Sequence, residues 1–260
     1  MERVLVTSPM LDHVAIGTGK VSDGWQLFGG VLGGAWVYGG DSPGFWWGQL
    51  GFAAGPKIEL ITPTSSPDSA FLERFLTARG PGPHHLNFIV PDIAATLHGV
   101  SALGIEPVGV DLGSENWKEA FLHPRDAYGI VIQVAQQSGR PPELAPPSDL
   151  PSPGPSCAFA MVEHHVNDLA GALRLFSGVL AGVVVSQPDT GSGPAAELRW
   201  ENGARLRLVQ ASPPAGRGDA RSGAPGSLFF ARDGQPFGAA ELSRVAALSA
   251  RLGVSLKLSS

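Results

Sequence analysis

Short runs in which apolar and polar residues alternate recur along this chain, each broken off by Gly, Pro, Asp or Ser. Alternation of period two marks a strand with one face turned to a core. LDHVAI, from Leu11 to Ile16, is the first such run. A helix is expected roughly over Asp23 to Leu32, and AWVYG, GFWWGQLGFA and KIELITP then read as three strands separated by turns. After a short helix in DSAFLERFLTARG the order starts again. HHLNFIV is a strand, and Asp92 caps a helix whose Ile93, Leu97, Val100 and Leu103 share a face before Gly104 stops it. EPVGV, KEAFLHP and GIVIQVA complete this second set. A third opens at CAFAMV, with a helix over about Asn167 to Leu180 and the strands AELRW and ARLRLVQ joined at an Asn202-Gly203 hairpin. A fourth runs from SLFFARD through a helix carrying Leu242, Val245 and Leu252 and stops after one further strand, VSLKL.

Four βαβββ modules, the last cut short, imply an α+β fold. Paired modules form curled mixed sheets with helices on the outer face, in two tandem domains. Proline crowds out any periodic pattern in GRPPELAPPSDLPSPGPS, residues 139–156, which reads as a linker. The expected division is a first domain over 8–138 and a degenerate, truncated second domain of the same type over 157–260.

Residues two apart in a strand share a face, so each strand of the first two modules resolves into two lists. One face carries Val14-Ile16, Ile58-Leu60, Leu86-Phe88-Val90 and Ile130-Ile132-Val134, all apolar and suited to amphipathic helices. The other is mixed: Leu11-His13-Ala15, Lys57-Glu59-Ile61, His85-Asn87-Ile89 and Val131-Gln133-Ala135. His13 and Glu59 lie 46 residues apart, and His85 and Gln133 lie 48 apart, on the first and last strands of their modules. A His followed by a carboxylate or amide, repeated at this interval on one face, points to a bipartite metal site. Two imidazoles, a carboxylate and an amide oxygen suit a divalent Zn, Mn, Fe, Co or Ni ion, with positions left for water or substrate oxygens. With Glu59 the only anionic member, such a site keeps about one net positive charge, which favours negative charge developing on a substrate oxygen. His84 has the other parity and aligns with Asp12, so His85 is the expected ligand.

Composition narrows the partners. The chain has 260 residues, 43% of them hydrophobic and 16% charged, and 35 Gly with 23 Pro favour many short elements over long helices. A net charge of −5 without a Lys/Arg cluster argues against nucleic acid. Cys157, alone, excludes an internal disulfide framework. The apolar part of MERVLVTSPMLD is too short for a signal peptide, and no apolar run approaches about 18 residues. The expectation is a cytoplasmic protein, monomer or homodimer, acting on a small-molecule substrate without nucleic acid or membrane partners.

These residues resemble the vicinal oxygen chelate superfamily, whose members pair βαβββ modules around a metal. DSAFLERFLTARGPGPHHLNFIVPDI and AFLHPRDAYGIVIQVAQ are most similar to the methylmalonyl-CoA epimerase family, over about residues 9–136. By position, the resemblance implies His13, Glu59, His85 and Gln133 as the ligand set. One departure is plain: the epimerase pattern has an amide where Glu59 stands and a carboxylate where Gln133 stands. The resemblance implies a metal-dependent isomerase, epimerase or lyase acting at a carbon next to a carbonyl of a small metabolite or acyl thioester. Glu59 and Glu119 are its expected catalytic carboxylates, with Glu115 and Asp41 as further acids near strand ends, and His123 in the FLHP turn is structural.

The third module departs further. Phe159 aligns with His13 and Arg207 with Glu59, while His164 and His165 fall before the helix and are expected at a surface or interface. The second domain is therefore expected to lack metal. Trp36, Trp46, Trp47 and Phe52 crowd two strands of the first module and offer flat apolar walls for a substrate, with Asn87 a further substrate contact. Alternation lets only one of Trp46 and Trp47 face such a pocket. Two other function classes follow from the same residues. Without Gln133, His13, His85 and Glu59 form a two-His, one-carboxylate set for a non-haem Fe(II) dioxygenase. An aromatic groove alone would serve a non-catalytic binding or resistance protein.

Overall fold

The computed structural model describes residues 6–139, 144–191, 193–211 and 225–260. Residues 140–143 of the expected linker and the first five of the chain lie outside that set. The first module comprises β1 (Met10–Gly17), a helix α1 (Val21–Gly24) that runs on as a π-helical turn over Trp25–Val31, β2 (Ala35–Ser42), β3 (Phe45–Gly51) and β4 (Lys57–Pro63). Helix α2 (Ala70–Arg79) leads to the second module, with β5 (Gly82–Ile89), α3 (Ile93–Ala102), β6 (Pro107–Asp111), β7 (Trp117–Leu122) and β8 (Val131–Gln137). The third has β9 (Ala158–Val166), α4 (Leu169–Leu173) with a π-helical turn over Arg174–Val179, and β10 (Val183–Ser186), β11 (Asp189–Thr190), β12 (Gly193–Arg199) and β13 (Arg205–Gln210). The fourth holds β14 (Pro225–Ala231), α5 (Ala239–Arg251) and β15 (Leu256–Ser259). The fold is α+β with mixed sheets, as the alternating pattern implies.

Two compact units emerge, and each draws on separated parts of the chain. One contains His13–His84, Pro141–Ala160 and Ser227–Ser260. In it the strands run β2-β3-β4-β1, with β1 parallel to β4 and β3 antiparallel to both β2 and β4. The apolar faces of β1 and β4, namely Val14, Ile16, Ile58 and Leu60, are fully buried, as are Trp25, Leu27 and Phe28 of the first helix. Phe230 of β14 stacks on Phe159 at 4.6 Å and meets Phe52 at 5.0 Å. Arg232 ties the fourth module to the first helix. Its guanidinium is buried, donates to the Val31 carbonyl at 3.1 Å, pairs with Glu241 at 3.0 Å and lies 4.0 Å over the Phe237 ring.

The other unit contains Met1–Asp12, His85–Arg140 and Met161–Gly226. Here β5 is parallel to β8, which pairs antiparallel with β7, and β7 with β6. The third module copies the plan: β9 is parallel to β13, and β12 pairs antiparallel with β13 and β10. Phe88 packs on Phe176 and Trp200, whose indole N–H donates to the Leu180 carbonyl at 2.7 Å. The Asp92 cap forms as expected, accepting from the Ala95 N–H at 3.0 Å. In the third module Asp168 is the cap, accepting from the Gly171 N–H at 2.8 Å. Leu242 of α5 stays half exposed, whereas Val245 and Leu252 are buried. Among the described residues no helix is long and apolar enough to cross a membrane.

The first and third modules end their helices alike. LFGGVLGG, Leu27 to Gly34, and LFSGVLAG, Leu175 to Gly182, both close on a widened turn. Leu32 N–H reaches Leu27 O and Leu180 N–H reaches Leu175 O, and one step on Gly34 bonds Phe28 while Gly182 bonds Phe176. The residue after each turn adopts a left-handed backbone. Gly33 does so at φ 71°, but its counterpart is Ala181, at φ 56°. A Cβ there costs on the order of 1 kcal/mol. Ala181 is exposed, so relief of that strain has no packing cost. Ala181→Gly is expected to stabilise the protein by about 0.5–1 kcal/mol, read as a higher urea midpoint at unchanged slope. An unchanged or lower midpoint would refute the strain.

Candidate metal centre

The parallel pairing of β1 with β4 sets Ala15 opposite Glu59 and leaves His13 two residues earlier on the same face. On the far side of β4, β3 places Gln49 opposite Glu59. Three polar side chains thus meet on adjacent strands, all nearly buried. Gln49 Nε2 donates to Glu59 Oε2 at 2.7 Å and lies 3.2 Å from His13 Nδ1. His13 Nε2 lies 3.6 Å from Glu59 Oε2. His13, Glu59 and His85 each offer a ligand atom, and the three atoms lie within 4.8 Å of one another.

The donor set fits a divalent cation. Two ligand bonds of about 2.1 Å meeting at a near-tetrahedral angle span about 3.4 Å, close to the 3.6 Å between His13 and Glu59. Imidazole nitrogens with one carboxylate oxygen are the ligands of choice for zinc and its transition-metal neighbours. Two buried amide oxygens, Gln49 Oε1 and Asn87 Oδ1, receive no hydrogen bond from the described residues. Gln49 is absent from the expected site. It was legible only as a lone amide inside an aromatic strand, GFWWGQLGFA.

In the second module the same register gives a different result. Asn87 of β5 faces Gln133 of β8, where Ala15 faces Glu59, and Phe121 of β7 takes the place of Gln49. Asn87 Nδ2 donates to Gln133 Oε1 at 2.8 Å. Gln133 Nε2 in turn donates to Glu119 Oε2 at 2.8 Å, and Trp117 Nε1 donates to the same oxygen at 2.8 Å. Gln133 is therefore engaged at both ends of its amide, and Glu119 is held through one oxygen. His84 points elsewhere, edge-on to Phe75 at 4.8 Å and near Phe71 at 5.9 Å. Burial, helped by the charge on Arg79, lowers its pKa to about 4, so it is neutral at physiological pH.

No family model matches the chain, and no curated protein does. Methylmalonyl-CoA epimerase from Mycobacterium tuberculosis is 27% identical over 52% of this chain and 91% of its own, at a TM-score of 0.45. A hypothetical protein from Bacillus halodurans C-125 is 26% identical over 53% of this chain and all of its own, also at 0.45. A mutant of 4-hydroxymandelate synthase from Streptomyces coelicolor is 12% identical but superposes on 95% of this chain and 76% of its own, at 0.59. That coverage spans all four modules. The chain has the vicinal oxygen chelate fold.

Register identifies the equivalent positions in the third vicinal oxygen chelate module. Arg207 of β13 faces Glu163 of β9 and Glu197 of β12, as Glu59 faces Ala15 and Gln49. His13 therefore corresponds to Met161, two residues before Glu163, and not to Phe159. A guanidinium lies where the first module presents a carboxylate. Arg207 pairs with Glu197 at 2.6 Å and with Glu163 at 3.3 Å, and Arg205 pairs with Glu197 at 2.7 Å. His164 lies within β9 and is fully buried, with Nε2 2.8 Å from the Tyr128 carbonyl, so of the expected surface or interface positions it does not take the exposed one. His165 is the exposed member, 3.5 Å from Glu163.

The aromatic residues separate. Trp47 shares the face of Gln49 and packs on Ala15, Ile61 and Leu72, so α2 closes one end of that face. Trp36 and Trp46 lie on the opposite face, and Phe52 is packed against Phe159 and Phe230. Asn87 is fully buried against Gln133. Asp41 and Glu115 are exposed, and His123 accepts from the Arg125 N–H within its turn.

Burial pushes the Glu197 carboxyl up, but Arg207 and Arg205 outweigh it and hold the group below its ordinary value. A depressed carboxyl contributes stability above its unfolded pKa and loses it as pH falls through the folded one. Arg207→Met is therefore expected to cost about 1–2 kcal/mol at neutral pH. The gap to the parent protein should close as acid protonates Glu197. Denaturant titrations at several pH values measure it, and a pH-independent gap would contradict the pairing.

Proposed function

We propose that this protein is a metal-dependent isomerase, epimerase or lyase that moves a proton at a carbon next to a carbonyl, on a small metabolite or acyl thioester. The observation that carries this reading is the buried His13-Glu59-His85 group, oriented through Gln49. His13, Glu59 and His85 would hold the ion, with Gln133 as a fourth ligand through the remaining lone pair of its oxygen. A bound divalent cation supplies Lewis-acid polarisation of a substrate oxygen. Gln49 keeps His13 and Glu59 in register. Glu119 is the acid-base residue: Trp117 and Gln133 fix its Oε2, and Oε1 is left to take the proton from carbon and return it. Domain 8–138 would carry the chemistry, and 157–260 would serve as a partner without metal, in a cytoplasmic monomer or homodimer.

A second reading is favoured by the amide of Gln133. Its bonds to Asn87 and Glu119 leave a two-histidine, one-carboxylate set, the arrangement that suits non-haem Fe(II) and oxygen chemistry.

Metal-stripped protein titrated with Co(II) or Zn(II) is expected to bind one ion. His13→Ala and His85→Ala should weaken binding more than about 100-fold and Gln49→Leu about tenfold. Solvent deuterium should enter the α-carbon of acyl or keto substrates, and Glu119→Gln should slow it by about 100-fold or more without loss of metal. Oxygen uptake with iron, and no exchange with cobalt in the absence of air, would favour the second reading. Undiminished small-molecule affinity in His13→Ala and His85→Ala, without turnover, would instead make this a binding protein.

A further inference from the structure

Gly39, Gly48 and Leu60 form one row across β2, β3 and β4, and Asp41, Trp46 and Thr62 form the next on the same face. This face is opposite to that of Gln49 and Glu59, because adjacent strand residues alternate. The two glycines facing one another make room for indoles to lie against the sheet. A Cβ on Gly48 would fall 2.4 to 2.9 Å from the rings of Trp46, Trp25 and Trp36, and one on Gly39 would meet Trp36 at 2.6 Å. Trp36 and Trp46 are nearly parallel, with centroids 6.4 Å apart, and Trp25 is edge-on to both, at 6.0 and 5.6 Å. The Trp36 indole N–H is tied down by the Leu144 carbonyl at 2.9 Å.

Trp36 and Trp46, with the fully buried Trp25 behind them, line a cavity of about 450 Å³ together with Leu144, Ala145 and Pro147. Its charged lining residues are Asp41 and Asp149, and no Lys, Arg or His lines it among the described residues. Ring faces are the negative part of an indole quadrupole and attract a cation within about 6 Å, and two carboxylates add to the same potential. A neutral apolar ligand would have no use for the acids, and an anion would be repelled.

We propose that this cavity is a second ligand site, separate from the metal group, that takes a small organic cation with a methylated ammonium head. Tryptophan cages with adjacent carboxylates discriminate such cations from uncharged molecules of equal shape, since only the cation gains from the ring faces and the acids. Metal-stripped protein titrated with choline in the presence of a chelator is expected to show a saturable change in indole emission. The neutral carbon isostere of choline, with a quaternary carbon in place of nitrogen, should bind at least about tenfold more weakly, and the double variant Asp41→Asn, Asp149→Asn should weaken choline by about tenfold. Both aspartates are exposed, so the variant is expected to fold, and thermal unfolding of each protein checks it. Absence of a saturable change, equal affinity for the isostere, or unaltered choline binding in the double variant would each overturn the proposal.

Discussion

Parallel pairing of the first strand of a module with its last, with a third strand antiparallel along the other edge, is the constraint that places the candidate site of this protein. It sets three residues in line across the sheet and a fourth one step along the first strand. In the first module these are Ala15, Glu59 and Gln49, with His13. No loop has to order for them to meet, since strand register alone brings together residues far apart in sequence. A site carried on strands costs little further ordering entropy when a ligand arrives, because folding has already fixed its backbone.

Much of this was legible in the sequence, for a physical reason. Side-chain parity in a strand is rigid, so His13, Glu59, His85 and Gln133 are assigned to one face by counting alone, and the group of two histidines with a glutamate was visible before any coordinates. Cross-strand partners are not so legible. Whether Gln49 or a neighbour faces Glu59 depends on the length of the β3–β4 turn, and the same uncertainty displaced the third-module alignment from Met161 to Phe159. The end of β9 was not legible either: the strand runs on to Val166, past the point where CAFAMV ends its apolar pattern, and so takes in His164. The aromatic cluster shows the reverse limit. Parity correctly separates Trp46 from Trp47, but it does not say which face is the functional one.

The three modules whose register is complete meet one electrostatic problem in three ways. A carboxylate nearly removed from water must be compensated by hydrogen bonds or positive charge. The second module avoids the problem at the last-strand position, where Gln133 is neutral and is satisfied by Asn87 and Glu119. In the third, Arg207 supplies a permanent guanidinium between Glu197 and Glu163: two of its nitrogens donate to Glu197 Oε1 and the third to Glu163 Oε2. In the first, Glu59 accepts from the Gln49 amide N–H and lies beside two imidazoles. On the proposed reading a divalent ion would supply there the positive charge that Arg207 supplies in the third. On that reading a removable cation in one module answers to a built-in one in another, while the backbone register stays the same. The residue at the last-strand position, Glu59, Gln133 or Arg207, would then decide, more than the fold, which module can hold an ion.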